Sequence, residues 1–575
     1  MSTLISSVIW VPRGRASARP TNYTLDENEL ERVGKMGGEG ALEKLKAEME
    51  RMELGGGEHQ AAGSDDDEWA DESDSGESST SSKEGKEGAD ADADMDVEDD
   101  EDKPTGPSDP NDLSAYNLDN YDEEVSRGTA MGAFSNLGGL KVHQDINDDP
   151  YITLKEDPEE QNVDREALEI LPSDSILITA RTSSDLSSLD YHVYDEPNDN
   201  LYVHHDLMLG GWPLCVEWLD FPAHGSTGKG ASEGEPSGFG NYIAVGTMDP
   251  TIEIWDMDML DPIYPTAMLG PAPGSLTDPI PKAKGTGKKK KKLLQTNSEH
   301  HVSSVTSLSW SGFHRNLLLS SSADATVKLW DLSRPTPQAA IRSWDNIHPN
   351  EKVLAVEWNK HKSGENKTVV LSAGERSVKV WDTRASEEAL GTGKLGSDVE
   401  AIKWDPWTGM DFFVSLENGL ILAYDARTLS SQAQQGSGPV PQPKYTISAH
   451  DGPASALDIN PHIRGCIATG GMDGKVKIWN VNEEDGGKRD VSLAVSRDLG
   501  VGKVFTVGFS PDSPLTLAAA GSAAKVNIWE IGGNNSARSV FGPKLRAAGR
   551  ELRDKPVANG GIIGVEDDDE DSDEE

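Results

Sequence analysis

The chain has 575 residues and a formal net charge of −47 at pH 7, with 100 Asp and Glu against 53 Lys and Arg. A hydrophobic content of 35 % and an aromatic content of 6 % are low for a chain packed throughout, so part of it is predicted to be disordered. No stretch approaches the roughly 20 apolar residues of a membrane span, and the start lacks the apolar run of a signal peptide. Composition thus argues against a membrane or secreted protein.

The first predicted element is a strand from Ile5 to Val11, where apolar and polar residues alternate until Pro12 ends the pattern. We expect this strand to pair with the outer edge of a sheet and to protect that edge from other chains. It opens a predicted N-terminal arm that covers residues 1–160.

A short helix is predicted from about Gly40 to Leu54, because four apolar residues recur there at spacings of 3, 4 and 3. They are Leu42, Leu45, Met49 and Met52. A frayed surface helix and a helix that docks on a partner are both compatible with this pattern.

Two segments are strongly acidic: residues 64–102 hold 19 Asp or Glu against 2 Lys, and residues 566–575 hold 9 acids and no base. Like charges in such blocks repel, so both segments are predicted to be disordered. One interpretation is a solubilising tail. The other is binding to basic partners such as histones or ribosomal proteins, whereas phosphate repulsion disfavours direct contact with nucleic acid.

Four serines lie among these acids and are predicted substrates of an acid-directed kinase, namely Ser64, Ser73, Ser75 and Ser572. Phosphorylation there would increase the negative charge of both segments.

Residues 113–124, LSAYNLDNYDEE, place leucine and tyrosine between Asn and Asp. An aromatic and acidic peptide in a flexible arm is suited to docking on another protein or on the chain's own folded domain. Tyr116 and Tyr121 are the predicted partner-binding residues.

Six times along the chain an apolar segment ends in an aromatic residue that is followed by Asp, Asn or Glu. The last five endings are 51, 43, 55 and 50 residues apart, and a weaker copy ends at Tyr194. A period of about 40 to 50 residues is typical of radially repeated β-units. Seven copies predict an all-β, seven-bladed propeller across residues 161–541. The six aromatic residues are Trp255, Trp330, Trp381, Tyr424, Trp479 and Trp529.

Each copy also contains an earlier strand that closes on an aromatic or apolar residue, so the repeat predicts four-stranded antiparallel blades without a helix. These strands end in VEW, LSW, VEW, IKW, LDI and VGF. Loop insertions are predicted near residues 221–240 and 262–298.

Two copies agree at four positions with identical spacing, and in this they resemble the WD-repeat family. That resemblance implies a hydrogen-bonded network joining His, Ser or Thr, Asp and the Trp indole across the blade. A buried indole needs an acceptor and a buried His needs both nitrogens satisfied, which makes these residues structural. The two sets are His301, Ser320, Asp324 and Trp330, and His450, Thr469, Asp473 and Trp479.

The hydrogen-bond acceptor six residues before the terminal aromatic is degraded in two copies, where Ser188 and Ala523 stand. We expect these blades to meet where the ring closes and to be the least stable.

A basic segment lies inside the insertion before Trp330 and ends in the lysine run Lys288, Lys289, Lys290, Lys291 and Lys292. Five lysines in a loop rich in Pro and Gly predict a nuclear import signal. Contact with nucleic acid and a plain solvated insertion are the alternatives.

Catalysis is not predicted, because the repeat accounts for most of the His and Asp residues that a reaction would need. Cys215 and Cys466 lie in separate strand-like segments without a metal-ligand motif, so neither a disulfide, a metal nor any cofactor is expected. The rims of a propeller are built for binding. Arg376 and Trp407 in rim turns are candidate partner contacts, although Trp407 is equally compatible with packing on its blade.

The N-terminal VIWVPRGRA, the acidic stretch, LDNYDEE and the Trp-ended repeats, in this order, resemble the periodic tryptophan protein 1 family of WD-repeat proteins. The resemblance implies a nuclear and nucleolar factor in pre-ribosomal RNA processing and large-subunit assembly, with chromatin and histone association also attributed to relatives. The expected partners are pre-60S particle proteins, pre-rRNA or both, with histones as a further class. Residues 542–575 are predicted to be an acidic disordered tail.

Overall fold

Seven four-stranded antiparallel sheets make up the fold, as the repeat predicts. The computed structural model describes residues 3–23, 168–184, 186–223, 238–271, 296–334, 339–349, 351–385, 389–429, 441–483, 489–550 and 561–565. Their strands are β1 Leu4–Val11, β2 Thr21–Asn22, β3 Ser175–Ser183, β4 Leu186–Asp195, β5 Asn200–Leu209, β6 Pro213–Leu219, β7 Tyr242–Thr247, β8 Ile252–Asp256, β9 Met259–Leu260, β10 Ala267–Leu269, β11 Val305–Trp310, β12 Leu317–Ser322, β13 Val327–Asp331, β14 Arg342–Trp344, β15 Ala355–Trp358, β16 Val369–Ala373, β17 Val378–Asp382, β18 Ala389–Gly391, β19 Val399–Trp404, β20 Asp411–Leu416, β21 Leu420–Asp425, β22 Tyr445–Ser448, β23 Ala456–Ile459, β24 Cys466–Gly470, β25 Lys475–Glu483, β26 Arg489–Asp498, β27 Val504–Phe509, β28 Thr516–Gly521, β29 Val526–Glu530 and β30 Ile562–Gly564.

Each sheet is one blade, and its strands are called a, b, c and d from the ring centre outward. Strands β2 and β9 form a separate parallel pair outside the blades. Blades 1 to 7 consist of β1-β3-β4-β5, β6-β7-β8-β10, β11-β12-β13-β14, β15-β16-β17-β18, β19-β20-β21-β22, β23-β24-β25-β26 and β27-β28-β29-β30.

The N-terminal strand β1 closes the ring from the inside. It pairs with β3 and lies between β6 and β27, the a strands of the two adjacent blades. The indole N–H of Trp10 donates to the backbone oxygen of Gly508 at 2.9 Å and so joins blade 1 to blade 7. The predicted strand is therefore present, but its assignment to an outer edge was wrong. It belongs to the propeller rather than to an arm.

The predicted end of the propeller at residue 541 was wrong, because residues 542–547 and 562–564 belong to blade 7 and its helix and not to a disordered tail. Helix α1, Asn535–Ala547, follows strand c of blade 7 and buries Phe541 and Leu545. Strand β30 then supplies strand d of that blade by pairing with β29. The expectation of no helix was wrong here, because a sequence with Gly542 and Pro543 inside the helix gives a poor helical signal.

In blades 3 and 4 the third strand is buried on both faces, since it lies between two neighbouring blades. In blade 3, Val327, Lys328, Leu329 and Trp330 are all buried, although the sequence suggests alternation. Lys328 tolerates this position because its ammonium donates to the oxygen of Asn297 at 2.5 Å and to Ser343 at 2.7 Å.

A belt of hydrogen bonds joins the innermost strands around the central channel. In each pair, the acceptor is the side chain of the residue just before the aromatic or apolar residue that closes strand a. The donor is the backbone N–H of the corresponding closing residue in the next blade. These bonds satisfy a strand edge that would otherwise lack partners. The pairs are Glu217 with Trp310 at 3.0 Å, Ser309 with Trp358 at 3.0 Å, Glu357 with Trp404 at 2.7 Å and Asp458 with Phe509 at 2.8 Å.

The ring has two faces. The a–b face carries the turns between strands a and b and between c and d, and the b–c face carries the remaining turns. On the a–b face the turns bind each other directly: the Asn359 amide donates to Gly409 at 2.6 Å, and the Asn460 amide donates to Pro514 at 2.7 Å. These bonds fix the turns of the a–b face relative to one another.

Candidate interaction faces

The WD-type network is complete in blade 3. The indole N–H of Trp330 donates to Ser320 Oγ at 2.8 Å, and this oxygen lies 2.7 Å from His301 Nε2. On the other side of the imidazole, His301 Nδ1 lies 3.1 Å from an oxygen of Asp324. Because a carboxylate only accepts, Nδ1 is the donor and Nε2 accepts the Ser320 proton.

Burial and hydrogen bonding set the charge states in this network. Burial lowers the pKa of His301, which keeps its ring neutral. Burial alone would raise the pKa of Asp324, but hydrogen bonds from His301 and Thr326 outweigh it and hold this pKa at about 2. The Asp324 carboxylate therefore stays ionised and accepts hydrogen bonds from both His301 and Thr326.

Blade 6 repeats the arrangement with Thr in place of Ser. Trp479 Nε1 donates to Thr469 Oγ1 at 3.0 Å, and His450 Nε2 lies 3.0 Å from the same oxygen. His450 Nδ1 is 3.0 Å from Asp473. The eight residues selected from the sequence therefore form two networks.

Blade 4 holds a third network that sequence reasoning missed. His348 Nε2 lies 2.9 Å from Ser372 Oγ, and Trp381 Nε1 donates to the same oxygen at 3.0 Å. On its other side, His348 reaches Ser377, whose hydroxyl donates to Glu351 at 3.2 Å. Ser372 precedes Trp381 by nine residues instead of ten, and His348 precedes it by 33 instead of 29, so a fixed offset does not find it.

The other described blades fix their terminal aromatics differently. In blade 2 the Trp255 indole donates to Glu253 at 3.1 Å, and in blade 5 Tyr424 stacks on Phe412 at 5.6 Å. In blade 7 the buried Trp529 indole has no hydrogen-bond partner among the described residues. Ser188 and Ala523 lie in blades 1 and 7, which meet at the ring closure as expected.

The buried polar groups of these networks in blades 3, 4 and 6 thus serve to hold each blade together. No group of three or more His, Cys, Asp or Glu in the described part of the chain is arranged to hold a metal ion. Cys215 and Cys466 are free thiols, and burial raises the pKa of Cys215 to about 12. No helix within the described ranges is long and apolar enough to cross a bilayer.

A groove of about 490 Å³ opens on the a–b face between blades 5 and 6. Its floor is apolar and includes Phe413, Ile459 and Ile467, which are buried. Its mouth is polar and lies beside helix α1. The mouth includes Asp405, Asp411, Tyr445, Arg464, Arg489 and Lys544.

The predicted rim residue Trp407 lies in this groove. Its side chain is 36 % exposed, and its indole N–H donates to the backbone oxygen of Asn460 in blade 6 at 2.9 Å. The Trp407 indole is thus fixed against blade 6, while one of its sides faces solvent. The structure combines the two alternatives that the sequence left open for this residue.

Arg376 lies on the opposite, b–c face. Its Nε donates to Asp398 at 2.6 Å, and both side chains are about half exposed. The structure therefore separates Arg376 from Trp407 and does not unite the two rim candidates in one site.

Several predicted sites fall outside the described residues. These are the helix of 40–54, the acidic segments, the docking peptide with Tyr116 and Tyr121, the lysines 288–292, and the serines 64, 73, 75 and 572.

Charge is unevenly spread over the ring. On the a–b face, blades 3 to 7 carry a series of basic side chains, in contrast to the acidic chain as a whole. They are Lys362, Lys367, Arg464, Lys544, Arg546 and Arg550, together with Arg315 and Lys360, which are paired with Asp220 and Glu217. The b–c face carries many acids, among them Asp249, Glu375, Asp398, Glu417, Asp451 and Asp498.

Comparison with known proteins agrees with this geometry. The protein-family model described as "WD domain, G-beta repeat" matches residues 291–331 and 441–480, the two copies with complete His–Asp networks. An uncharacterized WD repeat-containing protein of Schizosaccharomyces pombe is 35 % identical over 94 % of this chain and 91 % of its own length. Periodic tryptophan protein 1 of Saccharomyces cerevisiae is 31 % identical over 94 % of this chain and 90 % of its own length.

The chain belongs to the periodic tryptophan protein 1 family of WD-repeat proteins. A Drosophila melanogaster homolog of periodic tryptophan protein 1 is 26 % identical over 67 % of this chain and 73 % of its own length. Membership in the periodic tryptophan protein 1 family fits a WD-repeat scaffold whose working parts are surfaces.

Proposed function

We propose that this protein is a non-enzymatic scaffold of the nucleus and nucleolus that acts in ribosome biogenesis, in pre-rRNA processing and large-subunit assembly. It would bind proteins and pre-60S particles rather than a small-molecule substrate. The observation that carries this proposal is the use of the buried His, Ser, Thr and Asp residues in holding blades together, which leaves binding surfaces as the functional parts.

The charge distribution supports a partner made of RNA and basic protein. The basic side chains of blades 3 to 7 on the a–b face offer contacts for phosphate. The acidic segments 64–102 and 566–575 offer contacts for basic proteins. A pre-ribosomal particle presents both kinds of surface.

Depletion and rescue test this proposal. Cells depleted of the protein are expected to accumulate large-subunit rRNA precursors in a pulse-chase experiment, and the full chain restores processing. A charge-reversed variant of the exposed a–b residues, Lys362→Glu with Lys367→Glu, is expected to rescue poorly. The matched control on the b–c face, Lys503→Glu with Lys525→Glu, is expected to rescue fully. Normal processing after depletion would contradict the role.

The alternative is a histone-binding chromatin regulator that affects ribosomes through rDNA transcription. The acidic segments favour it, because histone tails are basic. The same pulse labelling separates the two: fewer new transcripts with normal processing kinetics support the chromatin role, whereas slow conversion of precursors supports assembly.

Nuclear import would depend on the lysine run Lys288–Lys292. Replacing all five lysines by Gln is expected to shift a fluorescently tagged chain to the cytoplasm. Unchanged nuclear signal would remove this assignment.

A further inference from the structure

The groove between blades 5 and 6 combines an apolar floor with a basic mouth. Phe413 and Ala423 from blade 5 face Ile459 and Ile467 from blade 6, and all four are buried. An open apolar cleft of about 490 Å³ on a rigid scaffold is suited to one or two apolar side chains of a partner.

The charges at the mouth do not cancel. Asp411 is neutralised by Lys444 at 2.5 Å and faces Arg489 at 3.7 Å. Asp405 accepts the backbone N–H of Trp407 and lies near Arg464. Among the described residues that line the groove, three cations, Arg464, Arg489 and Lys544, meet two carboxylates, which leaves one excess positive charge in a chain whose net charge is −47.

Lys544 on helix α1 is the residue of the groove that most specifically indicates an acidic ligand. Its ammonium donates to the side-chain oxygen of Asn480 at 2.6 Å and to the backbone oxygen of Arg464 at 3.2 Å. Both partners are neutral, and burial together with the nearby Arg464 lowers the pKa of this lysine. A half-buried cation with neutral partners gains from an arriving carboxylate.

We propose that this groove binds a short acidic peptide segment of a partner protein. One aliphatic or aromatic side chain of the peptide packs on the floor between Phe413 and Ile467, and a neighbouring carboxylate meets Lys544. This site is independent of the proposed role in ribosome assembly.

Single-stranded RNA is the competing occupant and fits less well. Bases are read by hydrogen bonds at their edges and by stacking, whereas the buried floor here is largely aliphatic. An apolar anchor flanked by carboxylates matches the floor and the mouth together.

Fluorescence anisotropy with the full-length chain tests the proposal. The probe is a labelled twelve-residue peptide of Asp and Glu around a central Leu-Tyr pair. The comparators are the same peptide with Ser-Ser at the centre and a twelve-nucleotide oligouridine. We expect the Leu-Tyr peptide to bind at least about tenfold more tightly than the Ser-Ser peptide, because only it fills the floor.

Two variants locate the site. Lys544→Gln is expected to lower the affinity for the peptide about tenfold through loss of one charge-assisted hydrogen bond. Ala548→Trp, at an exposed residue that lines the groove, is expected to block binding by filling it. The control Arg384→Gln removes an exposed cation of blade 4 on the same face and should leave binding unchanged.

Equal binding of the Leu-Tyr and Ser-Ser peptides would overturn the apolar anchor. Unchanged binding by Lys544→Gln and Ala548→Trp, with melting temperatures close to that of the original chain, would overturn the site. Tighter binding of oligouridine, with displacement of the peptide, would assign the groove to RNA instead.

Discussion

The carboxylate of Glu357 in blade 4 accepts the backbone N–H of Trp404 in blade 5 at 2.7 Å. Glu357 immediately precedes the aromatic residue that closes its own a strand, and it also lies 3.6 Å from Lys403. The motif VEW thus encodes a contact to the next blade as well as a strand ending. Glu217, Ser309 and Asp458 occupy the same position in their blades, and each also accepts a backbone N–H of the next blade.

Removal of this acceptor is expected to destabilise the ring. Glu357→Ala leaves the N–H of Trp404 without a partner at a buried position, which costs about 1 to 3 kcal/mol of the free energy of unfolding. Glu357→Gln keeps an acceptor oxygen and should cost less than Ala. Urea unfolding of the two variants measures this order, and a larger loss for Gln would contradict the belt.

The indole hydrogen bonds predict unequal effects of Trp→Phe substitutions. Trp330→Phe and Trp479→Phe each lose a bond to a buried hydroxyl and should each cost about 1 kcal/mol more than Trp529→Phe. Trp529 has no hydrogen-bond partner for its indole N–H among the described residues, so its replacement loses packing only. Thermal unfolding of the three variants compares them, and equal losses would disprove the role of the network.

Acid is expected to destabilise the protein through His348. Burial, with a further contribution from Lys379, lowers the pKa of His348 to about 3, whereas an unfolded histidine titrates near 6.5. Between these values only the unfolded chain takes up the proton, so the free energy of unfolding falls as the pH falls.

The slope from one such histidine is about 1.4 kcal/mol per pH unit. The groups around the ring are Ser372, Ser377, Glu351 and Lys379. His348→Gln should therefore show a shallower loss of stability than the original chain between pH 6 and pH 4.5, measured by urea unfolding. Parallel pH profiles would contradict this assignment.

Ring closure by strand β1 makes the extreme N-terminus essential for folding. Deletion of residues 1–11 removes strand a of blade 1 and the bond from Trp10 to Gly508, and should cause aggregation or a loss of cooperative melting. The matched control is deletion of residues 64–102, whose sequence predicts disorder and which should leave the melting temperature nearly unchanged. Circular dichroism melts of both deletions compare them.

The sequence was most informative where the repeat is regular. Period and terminal aromatics predict seven blades, and identical spacing predicts the networks around His301 and His450. The spacing fails for His348, because a longer segment between His348 and Ser372 and a shorter one between Ser372 and Trp381 preserve the contacts while changing the offset. Residues can therefore keep equivalent positions in space after insertions, although a search with a fixed number of intervening residues no longer finds them.

Two other features depend on contacts between distant parts of the chain. Alternation predicts strand β1 but carries no information on which edge it joins, since that depends on the neighbouring a strands β6 and β27. The groove between blades 5 and 6 likewise needs helix α1, whose Lys544 lies 64 residues from Asn480 in the chain. Local patterns do not encode such pairings.

Sucrose-gradient sedimentation of lysate from cells that express the full chain tests the central proposal most directly. Proteins and RNA are identified in the fractions that contain the chain, with and without RNase. Our account predicts co-migration with pre-60S particles and precursor rRNA, which RNase abolishes. Migration only with histones, or as a free protein in both samples, would contradict it.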